Sequence, residues 1–156
     1  MKEYFAKWIS VKGKIYRGDS YYLKEDLTSK NALSICNQLK IFAIDIHYVT
    51  RCYLTRHGNG WMPNENKIEL INTKTETNET GAWQGHFRTG ELDTKLLNYA
   101  MNCDDTYSFR HNKHLHVTCL DQRPGFKFPY EQLLMPFKSV REQYSAHADI
   151  HSIISN

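Results

Sequence analysis

At 156 residues the chain has the length of one ordinary domain and can bury a core without staples. Hydrophobic residues make up 40% and charged residues 24%, which excludes an intrinsically disordered chain. The net charge of +3, from 20 Lys and Arg against 17 Asp and Glu, permits an anionic ligand but does not suit a protein that coats duplex DNA. No apolar run approaches the roughly 18 residues that a membrane span requires. The start, Met1-Lys2-Glu3-Tyr4, lacks the apolar stretch of a secretory signal. The expected setting is therefore a cytoplasm, with Cys36, Cys52, Cys103 and Cys119 reduced.

In chain order, residues 4–11 read as an opening strand that places Trp8 in the core, and 14–17 as a short extended piece between turns at Gly13 and Gly18-Asp19. Ala32, Ile35, Cys36 and Leu39 recur at helical spacing, which predicts a helix over 29–40 capped by Thr28 or Ser29. A strand over 41–54 follows. The polar middle carries Gly58-Asn59-Gly60, a strand over 67–73 and a loop over 72–80. Next come a strand over 83–88 and a second helix over 90–102, with Leu92, Leu96, Tyr99 and Ala100 on one face. Strands are predicted over 106–109 and 114–120. Pro129 and Pro136 break up 128–137, and a closing helix is expected over 140–155.

Each predicted helix leads to a strand bearing a histidine, His47 in the first half and His116 in the second. Side chains alternate along a strand, so His116 and Thr118 share one face while Leu115, Val117 and Cys119 take the other. That presents a titratable imidazole beside a hydroxyl on a rigid platform. In the first strand, His47, Val49 and Arg51 share a face, and Thr50 points to the core unless a bulge turns it outward. Imidazole titrates near neutrality, so a histidine pair suits general acid–base work.

Two metal readings compete. His111, His114, His116 and Cys119 cluster in sequence, but Cys119 points away from the histidines. His147 and His151 lie four apart on the predicted last helix, with no evident further ligand. Neither is adopted. Lys12, Lys14 and Arg17 form a small basic patch, read as a solvated surface.

The string His116-Val117-Thr118 within Leu-His-Val-Thr-Cys-Leu, paired with the looser His47-Tyr48-Val49-Thr50, resembles the two-histidine (LigT-like) phosphoesterase superfamily. Its members carry two H-x-T/S motifs. The second motif matches fully; in the first, Val49 stands where the hydroxyl residue belongs. The short chain and the interval between the histidines look most like the phage-encoded anti-CBASS phosphodiesterases.

The resemblance implies an α+β fold, one domain over 1–156, with two pseudo-symmetric lobes (1–85 and 86–156) of mainly antiparallel sheet and flanking helices around a central cleft. It implies metal-independent cleavage of cyclic or short oligonucleotides in evasion of cyclic-nucleotide immunity, with no cofactor. His47 and His116 would serve as base and acid, in either order, and Thr118 with Thr50 would donate to the phosphate oxygens. Arg51, Tyr53, Trp83 and Tyr107 would bind substrate, with Trp61 as a further stacking candidate. A monomer or small homo-oligomer, without membrane or duplex-DNA partners, fits this picture. The alternatives are a non-catalytic nucleotide sponge on the same scaffold and a viral structural or adaptor protein.

Overall fold

A computed structural model describes residues 6–11, 14–17, 28–71, 83 and 85–142, the first two stretches as backbone. Among these residues, seven strands and two α-helices make a mixed α+β fold. The main sheet has five strands in the order β2 (Lys14–Arg17), β1 (Ala6–Val11), β3 (Asp45–Arg51), β6 (Asn112–Thr118), β7 (Ser139–Glu142). β1 is antiparallel to β2 and β3, whereas β3, β6 and β7 run parallel. β4 (Tyr53–His57) and β5 (Phe87–Glu91) form a separate antiparallel ribbon. Gly90 is required there: a Cβ would sit 2.9 Å from the Asn64 carbonyl oxygen, where the neighbouring chain crosses the ribbon.

Helix α1 (Lys30–Gln38) and helix α2 (Thr94–Ser108) cover one side of the main sheet. Ile46, Tyr48, Leu115 and Val117, all at 0 or 1% exposure, meet Cys36, Leu97 and Met101 from the helices. Burying such side chains stabilises the fold by about 1.5–3 kcal/mol each. α2 starts where Asp93 accepts hydrogen bonds from the Lys95 and Leu96 N–H groups, at 2.9 and 3.0 Å, satisfying two otherwise orphaned donors. α1 is anchored differently. The Ser29 N–H and hydroxyl both donate to the Asp104 carboxylate, at 2.5 and 3.1 Å. The Tyr48 hydroxyl donates to the same carboxylate at 2.6 Å, so one buried side chain ties α1, α2 and β3 together.

The expected alternation of helix and histidine strand is present as α1 then β3, and α2 then β6. The halves do not face each other across a gap among the described residues: β3 and β6 are hydrogen-bonded neighbours in one sheet. Several element assignments also change. Residues 106–108 close α2 instead of forming a strand, because Ser108 is drawn inward beside Tyr48 and Asp104. Residues 67–71 have no ladder; they hang on Thr89, whose hydroxyl accepts from the Ile68 N–H at 2.9 Å. Ser139–Glu142 is an edge strand, not the start of a helix. The rest of the predicted closing helix, the 72–80 loop, the Trp8 side chain, the basic patch and His147 with His151 lie outside the described residues or side chains.

Candidate active site: a histidine face on the sheet

Alternation along β3 and β6 sorts the chemistry. Ile46, Tyr48 and Thr50 on β3, with Lys113, Leu115 and Val117 on β6, point toward the helices and are buried. Asp45, His47, Val49 and Arg51, with Asn112, His114, His116 and Thr118, point the other way. The parallel register sets His47 opposite His114 and Val49 opposite His116. β7 adds Ser139 beside His114 and Arg141 beside His116.

Three imidazoles meet on this face. His47 Nδ1 and His116 Nε2 are 2.8 Å apart and share a hydrogen bond. The His47 ring stacks on His114, with centroids 4.6 Å apart and planes 12° from parallel. His114 Nδ1 pairs with the Ser139 hydroxyl at 2.6 Å, and its Nε2 lies 3.9 Å from an Asp45 carboxylate oxygen. His47 is 6% and His116 2% exposed, and His116 Nδ1 is buried without a hydrogen-bond partner.

Burial disfavours the charged imidazolium, and neighbouring positive groups add to that. Burial, then His114, holds His47 down at about 4 against the opposing pull of Asp45. Burial, then His47 and Arg141, holds His116 down at about 3. Burial also lowers His114, against the pull of Asp45. Both members of the pair are therefore neutral at pH 7, one donating its N–H to the other.

A stability consequence follows. The unfolded chain protonates these rings near pH 6.5 and the folded chain only near pH 4 and below, so between these limits the unfolded state binds more protons. Stability is complete above pH 7 and is lost as pH falls, by up to about 1.4 kcal/mol per ring per pH unit. Thermal melts from pH 7.5 to 4.5 should show this decline, and the H47N/H116Q double variant should show a flatter one. An unchanged slope in that variant would mean that these rings bind protons alike in the folded and the unfolded chain.

The other expected site residues fare differently. Thr118 is on the histidine face, and its hydroxyl donates to the Thr50 carbonyl at 3.2 Å. Thr50 is on the core face: pairing with β6 runs without a bulge from Asp45 to Arg51, and its hydroxyl donates to the Arg51 carbonyl at 3.1 Å. A hydroxyl held there cannot reach a phosphate on the histidine side. Arg51 is on the histidine face and contacts Tyr53, whose ring is 2% exposed and belongs to the core, unable to stack on a base. Trp83 is fully exposed and packs on neither histidine, and Trp61 is also exposed. Tyr107 is on α2 with Lys30 over its ring at 5.4 Å, in the helix layer.

Cys119 is buried just after β6, its carbonyl accepting from the Cys52 thiol, and none of the four cysteines forms a disulfide. Among the described residues no three His, Cys, Asp or Glu side chains are grouped as metal ligands, and no helix is long and apolar enough to cross a membrane. A groove of about 620 Å³ lies between α2 and residues 134–136; Lys113 lines it, so it opens on the side of the sheet away from the histidines.

Two residues that sequence reasoning does not select belong to this face. Ser139 and Arg141 become visible only when β7 is recognised as a strand paired with β6. In the comparisons with known proteins, no family model, no curated protein and no solved structure matches the chain.

Proposed function

We propose that the protein is a metal-independent phosphodiesterase in which His47 and His116 act as the acid–base pair on a cyclic or short oligonucleotide. One observation carries this reading: two histidines from opposite halves of the chain share a hydrogen bond on a single sheet face. Attack of a ribose 2′-hydroxyl on the adjacent phosphorus needs a base for that hydroxyl and an acid for the departing 5′-oxygen. Two imidazoles supply both, provided one is neutral and the other protonated. The bound phosphodiester anion favours that state, because its charge offsets the desolvation and repulsion that keep the empty pair neutral. Arg141, in register beside His116, is the first candidate to donate to the nonbridging oxygens as charge builds on them, and Thr118 can join it once its hydroxyl turns away from the Thr50 carbonyl.

At 2.8 Å the rings leave no room for a phosphate between them, so the substrate must part them. The exchange is favourable in magnitude. A neutral hydrogen bond contributes about 0.5–1.5 kcal/mol net, whereas each charge-assisted bond to a phosphate oxygen contributes about 1.5–3 kcal/mol. The choice of cyclic oligonucleotides, and of a phage countermeasure to nucleotide-signal immunity, rests on the resemblance of His116-Val117-Thr118 to the two-histidine phosphoesterases.

The closed, buried pair also favours a second reading, a protein that sequesters a nucleotide without cleaving it. One experiment separates the two: incubation with a panel of cyclic di- and trinucleotides in EDTA, followed by chromatography. Linear or 2′,3′-cyclic phosphate products support the enzyme. Tight binding with recovery of intact ligand supports sequestration, and turnover that stops in EDTA and returns with zinc contradicts both.

A further inference from the structure

We propose that His114 is a positioning residue that fixes the tilt of the His47 ring by stacking on it, an inference that rests on the phosphodiesterase reading. The single hydrogen bond between His47 and His116 fixes one point of the His47 ring and leaves its tilt free. Stacking on His114 at 4.6 Å and 12° supplies the missing restraint.

His114 is itself held through Nδ1, which pairs with Ser139 on β7 at 2.6 Å; its Nε2 makes no hydrogen bond and faces Asp45 on β3 at 3.9 Å. Asp45 is in turn held by Asn112, whose amide donates to it at 2.7 Å. The parallel register makes this arrangement possible, because His114 is the direct neighbour of His47 on one strand and of Ser139 on the other.

The charge environment gives His114 a second effect on the same ring. The groups around it are His47 and Asp45 from β3, His116 from β6, Ser139 and Arg141 from β7, and Lys138 just before β7. On β1 the residue opposite His47 in register is Trp8. Asp45 pulls on both rings, and an imidazolium at His114 opposes one at His47 by direct repulsion. His114 thus keeps His47 flat and, once protonated at lower pH, adds to the burial that disfavours a charge on His47. A flat apolar ring in its place would keep the first effect and lose the second.

The test compares H114A, H114F and S139A by kcat, KM, the pH profile of kcat/KM and the nitrogen NMR signals of the His47 ring. H114A should lower kcat about ten- to hundredfold with KM little changed, the cost of a misplaced catalytic group. Its His47 nitrogen signals should broaden or average. H114F should recover most of kcat but move the acid limb of the profile to higher pH. S139A, which leaves all three rings in place, should move in the direction of H114A by a smaller factor, and it decides the matter if H114A does not fold. A wild-type kcat and wild-type His47 signals in H114A, or in S139A where H114A does not fold, would overturn the proposal. The NMR readout is independent of turnover. If H47A keeps full activity, the enzyme reading fails by itself, and the His47 signals still report whether His114 positions that ring.

Discussion

Replacing His116 by Gln should lower kcat by about a thousandfold, within the range usual for removing a general acid or base. Gln places a hydrogen-bonding group near the position of Nε2, so the contact with His47 Nδ1 at 2.8 Å can survive while proton transfer cannot. Asn mimics Nδ1, the atom that His47 uses, so H47N is the matched partner and should fall by a similar factor. Because two residues that act as one unit are strongly non-additive, the double variant should be no more than a few-fold worse than either single one. Affinity for a non-cleavable analogue should change little in all three. Single-turnover kinetics on the purified variants measure this directly. Activity within tenfold of the parent in either single variant would remove the pair from the chemistry.

The largest loss of stability should come from Asp104→Ala, far from the histidines. Asp104 is 0% exposed and accepts from three donors: the Ser29 N–H, the Ser29 hydroxyl and the Tyr48 hydroxyl. Ser29 and Tyr48 are themselves 2% and 1% exposed, so water cannot replace the lost acceptor without opening the helix layer. Burial and the adjacent carboxylate push the Tyr48 hydroxyl well above its ordinary range, so it remains a donor throughout the working pH range. A stranded buried donor costs about 1–3 kcal/mol. Allowing for partial relaxation, the sum is about 3–5 kcal/mol, or about 10–15 °C in Tm for a chain of this size. Asp104→Asn keeps one acceptor oxygen and should cost less than half as much. Tyr48→Phe removes one donor, and combined with Asp104→Asn it should cost less than the two separately. Thermal and urea melts of the four proteins close that cycle. An Asp104→Ala protein that melts within 3 °C of the parent would show that the network contributes little.

These cases mark how far the chain can be read unaided. Strand alternation alone places His116 with Thr118 and sends Thr50 to the core, because the period of two is fixed by the backbone. The helix-then-histidine-strand repeat is also legible from local spacing. What spacing cannot supply is which strands become neighbours. The parallel pairing of β3 with β6, which puts the histidines side by side and not across facing lobes, is decided by packing under α1 and α2. Asp104 escapes notice for the same reason, since its partners Ser29 and Tyr48 are 75 and 56 residues away. Tyr107-Ser108-Phe109 has the composition of a strand, yet 107 and 108 are helical, because the inward pull on Ser108 outweighs a weak local preference. His114 looks like an ordinary member of a histidine-rich strand until Ser139 is known to lie beside it.

The parallel register of β3 with β6 has a kinetic corollary. Asn112 and Asp45, paired at its start, are 67 residues apart along the chain, and everything between them has to be gathered in before the first ladder bond can close. Such distant pairings form late, and topologies built on them fold in milliseconds to seconds where local ones take microseconds. The three imidazoles come together only when that ladder closes. A nascent chain carrying only the first of them has no second ring with which to exchange a proton.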